Sequence, residues 1–344
     1  MDLASLYREV AEAISRLDFE SIWPGFEPLK FALYDDESCF FDGRFVEKTE
    51  AFCANTSIVY NGEQIAIWKV AEELETPVLA SKIVHEMFHG YQTAWDCWPN
   101  ELEALFGYEY SAENLCLKLR ENELLLDLLG GFDEAAFREL IALRKLRSER
   151  FPYQFEYELK TEEIEGTANY VEWQVLKQLD EEKALMLTER MRAAVTDPER
   201  LFPIRISCYF TGALAVNAML GAGVYSFEAS DRPVMLRVMN DAAPSQGDFA
   251  GKDELMRAVS GAIGAFNAET EEAVKCALER NEVLLEGPLE LVFVNIYNAR
   301  RLGDYLTSTF FVMYRENGAD KMLPGDFVIK MKDNRTIERV YKWR

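Results

Sequence analysis

Histidine occurs at only two positions of this chain, and the two bracket a glutamate in the run Ile83-Val84-His85-Glu86-Met87-Phe88-His89-Gly90. This H-E-x-x-H spacing dictates local structure, because residues i and i+4 share a face on an α-helix, where His85 and His89 can both reach one zinc ion. Glu86 then stands beside them to take a proton from a water on the metal. The flanks agree with a buried helix rather than an exposed one. Ile83, Val84, Met87, Phe88, Tyr91 and Trp95 recur at helical spacing, and the histidines sit to one side of that apolar face.

A buried active-site helix needs a core around it, and 49% hydrophobic residues over 344 positions supply one. The 37 basic and 60 acidic side chains leave a formal charge of −23. Such a surface repels phosphate backbones and anionic lipid, so neither nucleic acid nor a membrane is an expected partner. Met1 to Val10 show no basic stretch followed by an apolar one, and Cys208 to Gly221 is too short and too interrupted to span a bilayer. The six cysteines are scattered without a C-x-x-C pair, which fits reduced thiols in a cytoplasmic protein better than a disulfide frame or a cysteine-zinc site.

Hydrophobic period divides the chain into an α+β order. Leu3, Leu6, Val10, Ile14 and Leu17 mark a helix over 1–18. Short β-type runs follow at Phe31–Tyr34, Cys39–Phe41, Arg44–Val46, Thr56–Tyr60 and Gln64–Trp68, with Asp42-Gly43 and Asn61-Gly62 as hairpin turns. They predict a small antiparallel sheet ahead of the H-E-x-x-H helix, placed at about 77–97. Helices are expected over 101–129, 133–149, 155–179, 181–195, 204–220 and 252–283, and the stretch from Ser226 to Lys252 reads as a surface loop. From about 288 strand patterning returns, as Leu289–Val294, Phe310–Tyr314, Phe327–Met331 and Val340–Trp343, broken by Asn317-Gly318 and Pro324-Gly325. The expected organisation is therefore 1–100 for the first helix, sheet and active-site helix, 101–287 for a helical lobe, and 288–344 for a C-terminal β-meander.

Two histidines do not complete a catalytic zinc site, which takes three protein ligands and leaves the fourth position to water. With no third histidine the missing ligand is Asp, Glu or Cys, and the richest segment is Glu162-Glu163-Ile164-Glu165-Gly166-Thr167-Ala168-Asn169-Tyr170-Val171-Glu172. Gly166 costs about 1 kcal/mol relative to alanine within a helix, and a close approach to the H-E-x-x-H helix would justify it.

The pair of segments, H-E-x-x-H and then E-G-x-A-x-Y-x-E, resembles the gluzincin group of zinc metallopeptidases and little-characterised predicted zinc proteases. The resemblance implies a zincin-like fold, zinc as cofactor, and Glu165 as third ligand, with Glu162 as the fallback and Glu172 able to line the same face. It puts Asn169 where many gluzincins carry an aspartate that orients the first histidine. Seventy-five residues separate the second histidine from Glu165, and no G-A-M-E-N-like element is present, so aminopeptidase activity is not implied.

In that chemistry zinc acidifies its water, Glu86 removes the proton, and the hydroxide attacks a polarised carbonyl, whose oxyanion needs a donor. Both histidines are spoken for. Tyr209 is the chosen donor, in a Tyr-x-x-Gly element with Arg205 one turn earlier; Tyr170 and Tyr157 are reserves. By the same resemblance Gln64–Trp68 is the sheet edge that pairs with an extended peptide. The expected function is a zinc-dependent peptidase acting on a peptide or protein. The alternatives are a zincin-fold protein that holds zinc or binds peptides without cutting, and a zinc hydrolase of a nonpeptide amide or ester.

Overall fold

Asp2 opens the first helix, where its carboxylate accepts from the backbone N–H groups of Ala4 and Ser5 and caps α1 (Leu3–Ser15). The computed structural model describes residues 2–344. A single turn, α2 (Phe19–Ile22), leads to five strands: β1 (Lys30–Tyr34), β2 (Cys39–Phe41), β3 (Arg44–Val46), β4 (Thr56–Tyr60) and β5 (Glu63–Lys69). Asp42 and Asn61 adopt positive φ ahead of Gly43 and Gly62, as the tight hairpins β2–β3 and β4–β5 require.

The sheet is mixed, not antiparallel throughout, with order β3-β2-β1-β5-β4 and a parallel β1–β5 pair. Burial explains it. Phe31 to Tyr34 and Ile65 to Ile67 are consecutive buried residues, the pattern of interior strands covered on both faces. Phe31, Leu33 and Ala66 face the main core beneath α1, while Ala32, Tyr34, Ile65 and Ile67 face a smaller cluster with Phe52. Gln64–Trp68 is therefore not the sheet edge. That place belongs to β4, whose residues are partly buried except Val59, which is exposed.

Next comes α3 (Thr76–Tyr91), which carries both histidines and continues as a 3₁₀ turn to Ala94. The helical lobe comprises α4 (Glu101–Gly107), α5 (Ala112–Leu129), α6 (Glu134–Arg150), α7 (Pro152–Thr161), a π turn at Glu162–Gly166, α8 (Thr167–Leu179), α9 (Glu181–Thr196), α10 (Ile204–Gly221), α11 (Val234–Met239) and α12 (Lys252–Arg280). The expected helix 101–129 is broken between Gly107 and Ala112, where Ser111 caps a new start. The apolar run of α10 is core: its side chains pack against α5, α7 and α8. Residues 226–252 are not simply a surface loop, since Val234, Met235 and Met239 of α11 are buried in the main core.

The C-terminal strands are β6 (Val283–Val294), β7 (Arg300–Leu302), β8 (Tyr305–Ser308), β9 (Phe311–Glu316), β10 (Ala319–Pro324), β11 (Phe327–Met331) and β12 (Thr336–Lys342). They form an antiparallel sheet of order β10-β9-β6-β12-β11-β8-β7. This is not a meander, because β6 lies between β9 and β12 and holds the centre. It also starts earlier than 288, because Asn281 in the left-handed conformation ends α12 and releases the chain as strand. Loop 295–299, between β6 and β7, reaches back to the helical lobe.

Candidate metal centre

The absence of a side chain at Gly90 lets α3 lie close on the sheet; a Cβ there would come 2.8 Å from Ser57 Oγ and 3.0 Å from Gln64 Cγ. This seats His89 against the cavity floor. His85 Nε2 and His89 Nε2 stand 3.1 Å apart. Glu165 Oε2 lies 3.3 Å from the latter and 3.8 Å from the former. One donor atom from each of the three residues falls within 4.8 Å of the others, so the group can hold a metal ion.

The outer ring nitrogens show how the inner ones are aimed. Gln92 donates from Nε2 to Ile164 O and Thr167 Oγ1, both at 2.8 Å. Its oxygen is thereby left as an acceptor 2.7 Å from His89 Nδ1, which must carry the proton. His85 Nδ1 lies 3.3 Å from Glu172 Oε2, paired by charge although off line for a well-formed hydrogen bond. Both Nε2 atoms therefore converge. With nothing between them two bare nitrogens this close would repel, and a proton or a metal cation removes the conflict, so the donor set fits a metal. Burial works against a charged His85, but the carboxylates of Glu165 and Glu172 outweigh it and lift its pKa to about 10. The same negative charge favours a bound cation.

Glu165 owes its aim to the π turn, which inserts one residue into an otherwise continuous helix and fans out three buried glutamates. Glu162 turns away to Lys118 at 2.7 Å and Arg144 at 2.8 Å, so the fallback ligand is engaged elsewhere. Glu163 pairs with Arg232 and accepts from the N–H of Val234. Glu165 Oε1 accepts from Arg205 Nη2 at 2.5 Å, and Arg205 is itself held by Glu101. That leaves Oε2 facing the imidazoles. Burial would raise the Glu165 pKa, but His89, His85 and Arg205 overcome it and hold the carboxyl well below its usual range.

Gly166 does not serve an approach to α3. It crosses Gly212 of α10, where a Cβ on Gly212 would sit 2.6 Å from Gly166 Cα and 2.5 Å from Glu162 O. The Tyr-x-x-Gly spacing thus has a cause: the glycine makes the crossing, and Tyr209, one turn earlier, enters the cavity. The Tyr209 ring lies parallel to His85 with centroids 6.3 Å apart, and its hydroxyl is 3.0 Å from that of Tyr297. Of the reserves, Tyr170 packs on Trp23 and Trp173 outside the cavity, and Tyr157 donates to Glu101. Asn169 does not orient His85; its amide nitrogen donates to the carbonyl of Tyr209, and Glu172 stands at the ring instead.

These groups line a cavity of about 560 Å³, bounded also by Asn55, Thr56 and Ser57 at the sheet edge, Trp98, Arg190 and Phe210. Glu86 is half-buried on its wall. Among the described residues its carboxylate has no ion pair or hydrogen bond, and burial raises its pKa while the two histidines pull it down. Sequence reading did not find Gln92, Glu101 or Tyr297. Only Gln92, three residues after His89, carried a local signal. No family model, no curated protein and no solved structure matches the chain.

Proposed function

We propose that this protein is a zinc-dependent peptidase of gluzincin type, with a zincin-like arrangement of sheet, active-site helix and helical lobe. His85, His89 and Glu165 would hold the zinc, a ligand set of two imidazoles and one carboxylate suited to a catalytic site with one position left open. Zinc bound there supplies Lewis acidity, polarising a carbonyl and acidifying a water. The chain's own residues do the rest. Glu86 takes the proton of the attacking water and returns it to the leaving amine, a role helped by a pKa lifted by burial. Tyr209 donates toward the carbonyl oxygen as negative charge develops on it. Edge strand β4 offers backbone groups to an extended peptide laid along the cavity.

The observation that carries this reading is Glu86: a carboxylate in the same cavity as the donor set with no partner among the described residues. A structural site would close its fourth position with a further protein ligand and has no use for a free base. The test is metal analysis combined with digestion of a peptide library, with and without chelator. The wild type should hold one zinc per chain and cleave. Glu86→Gln should keep the metal and lose on the order of 10²–10⁴ in turnover, whereas cleavage by Glu86→Gln at the wild-type rate would sink the mechanism.

A further inference from the structure

Tyr209, Arg205 and Tyr297 form a cluster on the cavity wall whose hydrogen-bond polarity can be counted. A guanidinium only donates. Arg205 Nη2, 3.4 Å from the Tyr209 hydroxyl, is fixed by its pairs with Glu165 and Glu101 and cannot turn away. One lone pair of Tyr209 therefore faces a permanent donor. The remaining neighbour is the Tyr297 hydroxyl at 3.0 Å, which can sit in either role. If Tyr209 donated to Tyr297, its only proton would be consumed inside the cluster. If Tyr297 donates, both lone pairs of Tyr209 are filled, and its proton is left to point into the cavity. The Arg205 guanidinium lies over both rings at 5.6 Å, so the cation biases each phenol alike.

Tyr297 sits on loop 295–299 of the C-terminal sheet, 47% exposed at the cavity mouth and with its backbone held in place. Asn295 builds its loop: the side-chain oxygen accepts from the Tyr297 N–H at 3.2 Å, the amide nitrogen donates to Thr309 Oγ1 at 3.2 Å, and the backbone oxygen accepts from Asn298 and Ala299. Asn295 itself is buried. The backbone that carries the phenol is thus an ordered turn, and the ring reaches Tyr209 from it.

We infer that Tyr297 is a positioning residue: it donates to Tyr209, directs the Tyr209 proton at the substrate oxygen, and makes the C-terminal sheet part of the active site. The inference rests on the peptidase reading above. It is tested by a double-mutant cycle of Tyr209→Phe and Tyr297→Phe in the zinc-loaded full chain. Two quantities are read: kcat and KM for a cleaved peptide, and calorimetric affinity for a peptide phosphonate whose tetrahedral oxygens mimic the oxyanion. Tyr209→Phe should lower kcat about a hundredfold. Tyr297→Phe should lower kcat and phosphonate affinity about tenfold with KM unchanged. In the Tyr209→Phe background Tyr297→Phe should add nothing further, because the proton it directs is gone. Full additivity, no effect of Tyr297→Phe, or a larger loss for Tyr297→Phe than for Tyr209→Phe would each overturn the inference while leaving the peptidase intact. A wild type that neither cleaves peptides nor binds the phosphonate would remove the reading and the inference together. Equal melting temperatures of the variants exclude loss of fold as the cause.

Discussion

Two dense groups of buried charge lie back to back across the π turn, and they differ in one respect. Behind it, Lys118, Arg144 and Arg147 face Glu121, Glu158 and Glu162 in a closed set, all at most 5% exposed. Arg147 reaches Glu121 at 3.1 Å and Glu158 at 2.6 Å, while Lys118 and Arg144 share Glu162. Three cations meet three carboxylates. In front of the turn, Glu165 meets Arg205, but two imidazole Nε2 atoms converge on one point and, among the described residues, the Glu86 carboxylate has no partner. Buried charge is costly unless paired. The closed group is balanced in charge; the open one can take up a cation, and there we place the proposed reaction.

Exchanging the same residue type on the two sides should break this symmetry cleanly. Glu165→Gln or His89→Ala should all but abolish zinc binding, read by elemental analysis after dialysis, with the fold retained. Glu162→Gln should do the converse, costing about 3–5 kcal/mol in denaturant unfolding because it strands buried cations, with zinc bound in whatever remains folded. If Glu162→Gln removed the metal and Glu165→Gln did not, the ligand assignment would be reversed.

Acid titration sharpens the same contrast. Burial would raise the Glu162 pKa, but Arg144 and Lys118 overcome it and hold the carboxyl at about 2, below its ordinary 4.5. A depressed carboxylate stabilises the fold fully above its unfolded value and loses that contribution as pH falls toward the folded one. Stability should therefore decline from about pH 4.5 downward toward 2, and the decline should be shallower in Glu162→Gln. An acid limb of unchanged steepness in that variant would place the titration elsewhere.

Smaller effects probe the join between the two groups. Gly212→Ala pushes α10 off the π turn, and a loss of about 1–3 kcal/mol is expected, with weaker zinc binding. Unchanged stability would mean the crossing relaxes. Glu172→Gln removes the charge beside His85 Nδ1 without touching a ligand, and should weaken zinc about tenfold. An effect as large as that of Glu165→Gln would make Glu172 a ligand in its own right.

Much of the open group was legible in the sequence, and almost none of the closed one. His85, Glu86 and His89 announce themselves because their spacing is local and helical. Glu165 needed a likeness between short segments, since seventy-five residues of intervening chain hide its approach. Arg205, Glu101 and Tyr297 lie on three further elements and meet only in the fold. The interior place of β5 was present in its unbroken apolar run, but the hairpin signals beside it suggested antiparallel pairing throughout. The π turn left no trace in hydrophobic period, because every residue of Glu162–Gly166 is buried.

That turn has a consequence for how the site is encoded. An α-helix advances about 100° per residue, so deleting a single residue from Glu162–Gly166 would swing everything on one side of the cut by roughly that angle relative to the other. Either Glu165 or Glu172 would then leave the imidazoles, although no side chain at the site had been exchanged. The centre is specified by the count of residues in one segment as much as by their identity. Scanning by substitution would miss this, and scanning by deletion would find it.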